Sequence, residues 1–373
     1  MRILELCLSL GRGGMELYMA RSARELARHH EVLPLIHPEA ALLREQLEGA
    51  GLAPRTWRVG LWELPLLAAW RLSRLLDAER VDAIHAHVRR ELPLAALAKA
   101  WSRRKPRLVY TSQMKVSHPK TDAYHAFIYG QVDALLTITA QLRDLTRARL
   151  RPAQRDRVRL LYYGAETGRS LDAGERAALR AQQGLRDGVF TVGLFGQKHH
   201  GKGQHLLAEA LHRLRRDGVE AQALLVGPET EPDYVRRVQE QAAALGLADA
   251  LHWVDFVPRP QELMQLCDVV VLATKQETFG LVLIEAMNVG VAVVGSAAGG
   301  VPEIIDPEET GLLFAPEDAQ SLAAQLRRLH DDPALRARLA EAGRRRAAER
   351  FSLQRHYEQL EAVLGGALPP EAA

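Results

Sequence analysis

Residues 269–273 form an uninterrupted apolar, mostly β-branched run, the composition of a strand covered on both faces. Residues 274–280 turn polar and end in glycine. Residues 281–288 have the length and make-up of a short helix, stopped by Asn288 and Gly290. A second apolar run, 291–294, leads into the Gly299-Gly300 turn. The succession predicts strand, loop, helix and strand, an arrangement whose ligands gather at the carboxyl ends of the strands. The same patterning predicts buried strands over 3–10, 81–88 and 108–112 in the first half, and over 189–195 and 223–227 in the second. Helices are expected over 16–29, with Leu17, Ala20, Leu26 and Ala27 near the apolar stripe, over 61–76, from Gln204 onward, and over 344–360. Residues 168–184, polar and rich in arginine and alanine, suit a linker helix. The expected fold is α/β, with two doubly wound domains facing a cleft.

Composition sharpens this picture in three places. The 373 residues suit two domains at roughly 150 residues each. Cys7 and Cys267 lie far apart in apolar surroundings, with neither a disulfide framework nor a metal-binding spacing, which points to a reducing compartment. No apolar run reaches the ~18–20 residues of a membrane span, and the start of the chain, with Glu5 in it, does not read as a signal peptide. A cytoplasmic protein is expected, with peripheral contact at the inner face of a membrane as an option. Charge is uneven: residues 1–165 carry 27 Lys and Arg against 16 Asp and Glu, and the remainder 22 against 30. A basic first half suits an anionic surface or substrate. No nucleic-acid partner is expected.

Candidate chemistry concentrates in the loops. Glu277 sits in the loop of the first segment and Glu285 in its helix, whose N-terminus beside Gly280 offers free N–H groups and a positive dipole end to a phosphate. Gly196-Gln197-Lys198-His199-His200-Gly201-Lys202-Gly203, followed by a helix, frames a second phosphate cradle. Gly11 to Gly14 form a loop after the first strand, but the third glycine of a dinucleotide fingerprint is missing. His85 and His87 share one strand face; without a third ligand in the pattern, no metal site is expected. Trp62, Leu66, Trp70, Arg71 and Arg74 give the 61–76 helix two readings, a cover for the sheet or a membrane-interface helix.

Glu277, seven residues, then Glu285, with Phe279-Gly280-Leu281 between them and Gly-Gly-Val-Pro-Glu at 299–303, resembles the donor-site signature of glycosyltransferase family 4. The resemblance extends over nearly the whole chain. It includes Gly13-Gly14-Met15-Glu16, similar to the family's Gly-Gly-x-Glu, and Lys202 in the family's Gly-Arg-x4-Lys-Gly. It implies the GT-B fold, with an acceptor-side Rossmann-like domain over 1–167. A nucleotide-sugar-binding domain over 168–345 and a C-terminal helix over 346–373 returning to the first domain complete it. The hinge turn resembles 160–166, the last strand of the first domain 134–139, and the nucleobase-facing segment 251–257.

By the same resemblance the activity is retaining transfer of a hexosyl or heptosyl group from a nucleotide-diphosphate sugar, and it is expected to be metal-independent because no Asp-x-Asp motif stands out in the sequence. UDP stands ahead of GDP or ADP as the nucleotide, no further cofactor is required, and the acceptor is a hydroxyl on an anionic glycan or glycolipid, as in lipopolysaccharide or cell-envelope synthesis. Glu277 and Lys202 carry the catalytic assignment. Gly14, Gln197, Lys198, Lys202, Val257, Thr278, Phe279, Gly280, Leu281 and Glu285 are the donor-binding set. Gly13, Glu16, His87, Gln113, Lys115 and His118 are the acceptor-side candidates, in a loop that also holds Lys120 and His125. Two positions depart from the family. Gln113 stands where many members have histidine, and an amide cannot take a proton at neutral pH. Gln197 stands in place of the arginine, losing a permanent charge and a bidentate fork that Lys198 would have to replace. These departures keep open a catalytically impaired sugar-nucleotide-binding regulator; a GT-B epimerase, which would release nucleotide without dependence on an acceptor, is a second alternative.

Overall fold

The computed structural model describes residues 1–367 apart from Arg12, Leu61, Glu63 and Leu64. The expectations that touch those four positions, and the end of the C-terminal segment, lie outside the described residues. The chain divides into two compact units, Met1–Tyr162 with the segment from Gln354 onward, and Tyr163–Leu353.

In the first unit β1 (Arg2–Cys7), β2 (Glu31–Ile36), β3 (Arg55–Thr56), β4 (Ala83–Ala86), β5 (Arg107–Ser112), β6 (Ala134–Thr137) and β7 (Val158–Leu160) form one sheet in the order β3-β2-β1-β4-β5-β6-β7. In the second, β8 (Phe190–Phe195), β9 (Ala221–Val226), β10 (Leu251–Val254), β11 (Val269–Leu272), β12 (Ala292–Ser296) and β13 (Leu312–Phe314) are ordered β10-β9-β8-β11-β12-β13. Every pairing is parallel. Parallel strands need crossovers, and covering helices bury both sheet faces, hence the continuous apolar runs. Strand order reverses between β1 and β4 and between β8 and β11. At such a point neighbouring crossovers leave in opposite directions and open a crevice at the carboxyl ends of the strands.

Five strands, β2, β3, β7, β10 and β13, were not expected as strands. β2 contains Pro34, which a central strand normally excludes; β3 pairs only with Leu35 and Ile36, leaving Pro34 beside an open edge. β7 and β13 are three residues long, too short to show a period, and β7 rather than β6 closes the first sheet. The first strand stops at Cys7, not Leu10, because the Leu8 N–H turns to the buried Glu91 carboxyl instead of a neighbouring strand.

The helix expected over 344–360 is two helices, Pro333–Arg350 and Leu353–Leu364. The break is packing-driven: the Phe351 ring is buried against Phe279 (6.0 Å), and the Phe351 carbonyl accepts the Ala165 N–H at 3.0 Å. A carbonyl spent on Ala165 cannot continue a helical ladder. The last helix packs within the first unit, where Val363 O accepts from Arg107 Nε (2.7 Å) and His356 bonds Tyr18 and Tyr162. Leu66–Ala78 covers the sheet with Ala69, Leu72 and Leu76, which are buried, and leaves Leu66, Leu67 and Trp70 exposed. Among the described residues no helix is long and apolar enough to cross a membrane.

Candidate active site

In the second unit β11 runs between β8 and β12 and delivers Glu277 just past its carboxyl end. From the other side of the reversal point, the loop after β8 delivers Lys202, whose Nζ lies 3.1 Å from Glu277 Oε2. Two glycines make this meeting possible. Gly203 has φ +77°, and a Cβ there would stand 2.3 Å from Ala273 O, so the loop can close onto β11 only without a side chain. Gly299, at φ +59°, lies so close to Glu277 that a Cβ would stand 1.8 Å from its carbonyl oxygen, while the Gly300 N–H donates to that same oxygen at 3.0 Å. The Gly-Gly turn thus holds Glu277 by its backbone. Its carboxylate is held from the front by Lys202 and by the Thr278 N–H at 3.1 Å.

Gly280, at φ +107°, caps the helix Leu281–Asn288, whose bounds match the expectation. The Leu283 N–H turns back to Gly280 O at 2.9 Å, and the N–H groups that open a helix ahead of it form a seat for an anion. Phe279 packs its ring inward on Tyr163 (5.7 Å) and Phe351, so that residue offers a ligand only backbone. Glu285 is half-buried one turn into the helix, and Thr278 is exposed.

The rest of the donor set is spread more widely. Gln197 accepts Gln204 Nε2 on its carbonyl at 3.0 Å. Lys198 is buried with its ammonium 5.9 Å from the Trp253 ring centroid, where burial pulls its pKa down against the opposing pull of Asp255 and Glu229. Lys198 therefore belongs with the end of β10, not with the Lys202–Glu277 pair. Val257 is half-buried beyond β10, next to the exposed Phe256.

In the first unit the Gly13 N–H donates to Glu16 Oε2 at 2.9 Å and Ser9 Oγ donates to Glu16 Oε1 at 2.5 Å. The buried Glu16 thus closes its own loop at the start of the helix Gly14–Leu26. A Cβ on Gly14 would meet nothing within 4 Å, so that backbone faces open space. Glu91, fully buried, fastens the β4 loop to the β1 loop through Leu8, and burial pushes its pKa well up.

Beneath these loops lies a cluster the sequence reading assembled only in part. Glu5 accepts from His85 Nδ1 (2.9 Å) and His87 Nε2 (2.5 Å), and His85 Nε2 meets Thr111 Oγ1 at 2.7 Å. Burial raises the Glu5 carboxyl, but the two histidines outweigh it and hold it down at about 2. Burial, with His85 as neighbour, takes His87 down to about 4. Glu5 is the third residue missing from the histidine pair, and the three offer ligand atoms within 4.8 Å of one another. As they stand those atoms share protons with each other and with Thr111. The signal available in the sequence was a lone acid inside an apolar strand.

A pocket of about 540 Å³ opens above His87. His87, Gln113, Lys120 and His125 line it; Lys115 and His118 are exposed elsewhere on the loop. Arg89, Arg90 and Trp62 complete its rim, with the Arg90 guanidinium 4.9 Å from the Trp62 ring centroid, and were not foreseen as a group.

Residues 13–164 match the family described as glycosyl transferase 4-like domain, and residues 175–346 the glycosyl transferases group 1. The chain belongs to these glycosyltransferases. It is 32% identical over 259 residues to the D-inositol 3-phosphate glycosyltransferase of Stackebrandtia nassauensis, an alignment that covers 66% of this chain and 56% of that protein. Thus it spans little more than half of that relative's length. The lipopolysaccharide core biosynthesis mannosyltransferase LpsB of Rhizobium meliloti is 27% identical over 74% of this chain and 78% of its own. In fold, the glycosyltransferase matches Anabaena HepE, solved in complex with UDP, with a TM-score of 0.85 at 24% identity over 98% of this chain and all of the other. Its two parallel sheets with covering helices are the GT-B architecture.

Proposed function

We propose that the chain transfers a hexosyl or heptosyl group from a nucleotide-diphosphate sugar to a hydroxyl of a cell-envelope glycan or glycolipid, with retention at the anomeric carbon. The observation that carries this reading is the Lys202–Glu277 pair, built from two loops at one strand-order reversal beside an open helix N-terminus. As the bond to the diphosphate breaks, negative charge grows on the leaving oxygens and the anomeric carbon turns oxocarbenium-like. Preorganised positive charge stabilises that state more than the ground state. Lys202 and the N–H groups after Gly280 supply it, with lysine rather than a metal ion as the counter-charge. Glu277, fixed by the Gly299-Gly300 turn, holds sugar hydroxyls, and Glu285 the ribose. The departing phosphate oxygen takes the acceptor hydroxyl proton as the new glycosidic bond forms, so protons balance without a side-chain base. UDP as the nucleotide is supported by the complexes of the fold neighbour, and a lipopolysaccharide-type acceptor by the likeness to LpsB.

Titrating each of two variants with free nucleoside diphosphate and with the sugar nucleotide tests the assignment. Glu277→Gln is expected to cut turnover and sugar-nucleotide affinity while UDP affinity stays near wild type, and Glu285→Gln to weaken both ligands alike. Equal losses for both ligands in both variants would break the division of roles, and absence of any nucleotide binding by the unmodified chain would sink the transferase reading.

The chain is also proposed to touch an anionic membrane surface through Leu66, Leu67 and Trp70, which are exposed beside Arg71 and Arg74. Co-sedimentation with phosphatidylglycerol vesicles is expected, and to be lost in Leu67→Glu; a protein that stays in the supernatant at low salt contradicts it.

A further inference from the structure

We propose that the 540 Å³ pocket of the first unit is an acidic-sugar site, in which His87 and Gln113 read hydroxyls while Arg89, Arg90 and Lys120 hold a phosphate or carboxylate on the same ligand. The inference rests on the transferase reading above and gives its acceptor a location and a chemical class.

Two orphaned polar atoms mark the pocket as built for a ligand. Glu5 is an ionised carboxylate and can only accept, so His87 Nε2 must carry the proton shared between them. Nδ1 is then a bare lone pair. It lies on a ring only 1% exposed and has no hydrogen-bond partner among the described residues. Gln113 Nε2 is likewise buried without a partner among them, and it is a donor. A buried polar atom left unmatched costs about 1–3 kcal/mol. A sugar relieves both at once, because each hydroxyl donates to one group and accepts from another. Glu5 thus acts as the positioning residue that fixes which His87 nitrogen carries the proton and which is left bare, as carboxylates do for imidazoles elsewhere.

The lining also selects for charge. Among the described residues that line the pocket there is no aspartate or glutamate, while Arg89, Arg90, Lys120 and His125 are present. His125 already holds Asp122 at 2.5 Å, which leaves the two arginines and Lys120 as the net positive charge. Guanidinium forks suit planar or tetrahedral oxyanions. The volume lies within the range of small-molecule sites, and Trp62, Tyr110 and Tyr129 offer flat surfaces to the apolar faces of a pyranose.

The test is ligand-observed NMR titration of the full chain, with saturating UDP present so that the donor side is filled. The probes are glucose, glucose 6-phosphate and glucuronate. Both acidic sugars are expected to bind at least about tenfold more tightly than glucose, and the tighter of the two shows whether phosphate or carboxylate is read. The double substitution Arg89→Gln with Arg90→Gln, at two exposed positions, is expected to remove most of the acid preference, and Lys120→Gln added to it to bring both acids to the level of glucose. His87→Gln keeps an N–H for Glu5 but loses the acceptor at the Nδ1 position. It is expected to weaken all three probes by roughly three- to tenfold without changing UDP affinity. Failure of all three probes to bind, equal binding of acidic and neutral sugars, or an acid preference that survives all three substitutions would overturn the site, provided UDP still binds. Loss of UDP binding by the unmodified chain would instead strike the transferase reading.

Discussion

Replacing Lys202 with alanine is expected to weaken UDP binding by about ten- to a hundredfold, or roughly 1.5–3 kcal/mol, the scale of a charge-assisted hydrogen bond. Two effects act in the same direction. The ammonium that faces the diphosphate is lost. Glu277 also loses its partner at 3.1 Å, leaving an uncompensated carboxylate, 18% exposed at its side chain, close to where an anion must bind. The second effect separates from the first in a double-mutant cycle. Adding Glu277→Gln to Lys202→Ala is expected to recover part of the UDP affinity, since the repelling charge is gone. Isothermal titration on the four proteins measures both terms, with thermal melts showing that each is folded. Unchanged UDP affinity in the single variant would remove Lys202 from the phosphate site.

The second large effect is on acid stability. His87 and His356 are buried and both are held down at about 4, in each case chiefly by burial. His356 donates Nδ1–H to Tyr162 O at 2.7 Å and meets the Tyr18 hydroxyl through Nε2 at 3.0 Å, so both nitrogens are committed as a neutral ring. A histidine in the unfolded chain takes its proton near 6.5. Because the folded values lie below the unfolded one, the unfolded state binds protons first, and stability falls as pH drops from about 6.5 to 4. Each ring is worth up to about 3 kcal/mol over that window. Glu5, held at about 2, works the same way one step lower: its contribution stands above the ordinary carboxylate range and is lost as pH falls from there toward 2. Four of the five tryptophans lie in residues 1–162, so urea melts followed by tryptophan fluorescence report mainly the first unit. The midpoint is expected to fall steeply between pH 6.5 and 4.5, and less steeply in His87→Gln. A midpoint flat over that range contradicts the buried, neutral assignment.

How much of this was legible in the chain follows from what each residue type reveals. A strand covered on both faces must be apolar throughout, so β11 announced itself, and the glycines around it announced the tight loops. The bounds of Leu281–Asn288 followed because Gly280 and Gly290 both require positive φ. Glu277 and Lys202 came through motif, and the structure supplies the reason for the motif: Gly299 and Gly203 occupy spaces that no side chain could share. Short strands carry too few residues to show a period, so β7 and β13 were missed. Long-range pairing carries no local signal at all. Nothing near Glu5 reveals that residues 85 and 87 will face it, and nothing near Arg89 reveals that Lys120 will stand across a pocket from it. The loop after β5 illustrates the same limit, since Lys115 and His118 have suitable chemistry but the backbone turns them to solvent while Gln113 points in.

The break at Phe351 has a consequence for how the chain is made. Because the last helix leaves the second unit there and docks by Tyr18 and Arg107, the first unit is assembled from two stretches of chain that flank the second. The second, residues 163–353, is contiguous and can close on itself during synthesis. As the first unit emerges from the ribosome, by contrast, it lacks the imidazole that later occupies Tyr18 and Tyr162, and it stays unfinished until the helix Leu353–Leu364 has been made. For the whole time the second unit is being synthesised, the surface awaiting the last helix is open to solvent and to other chains.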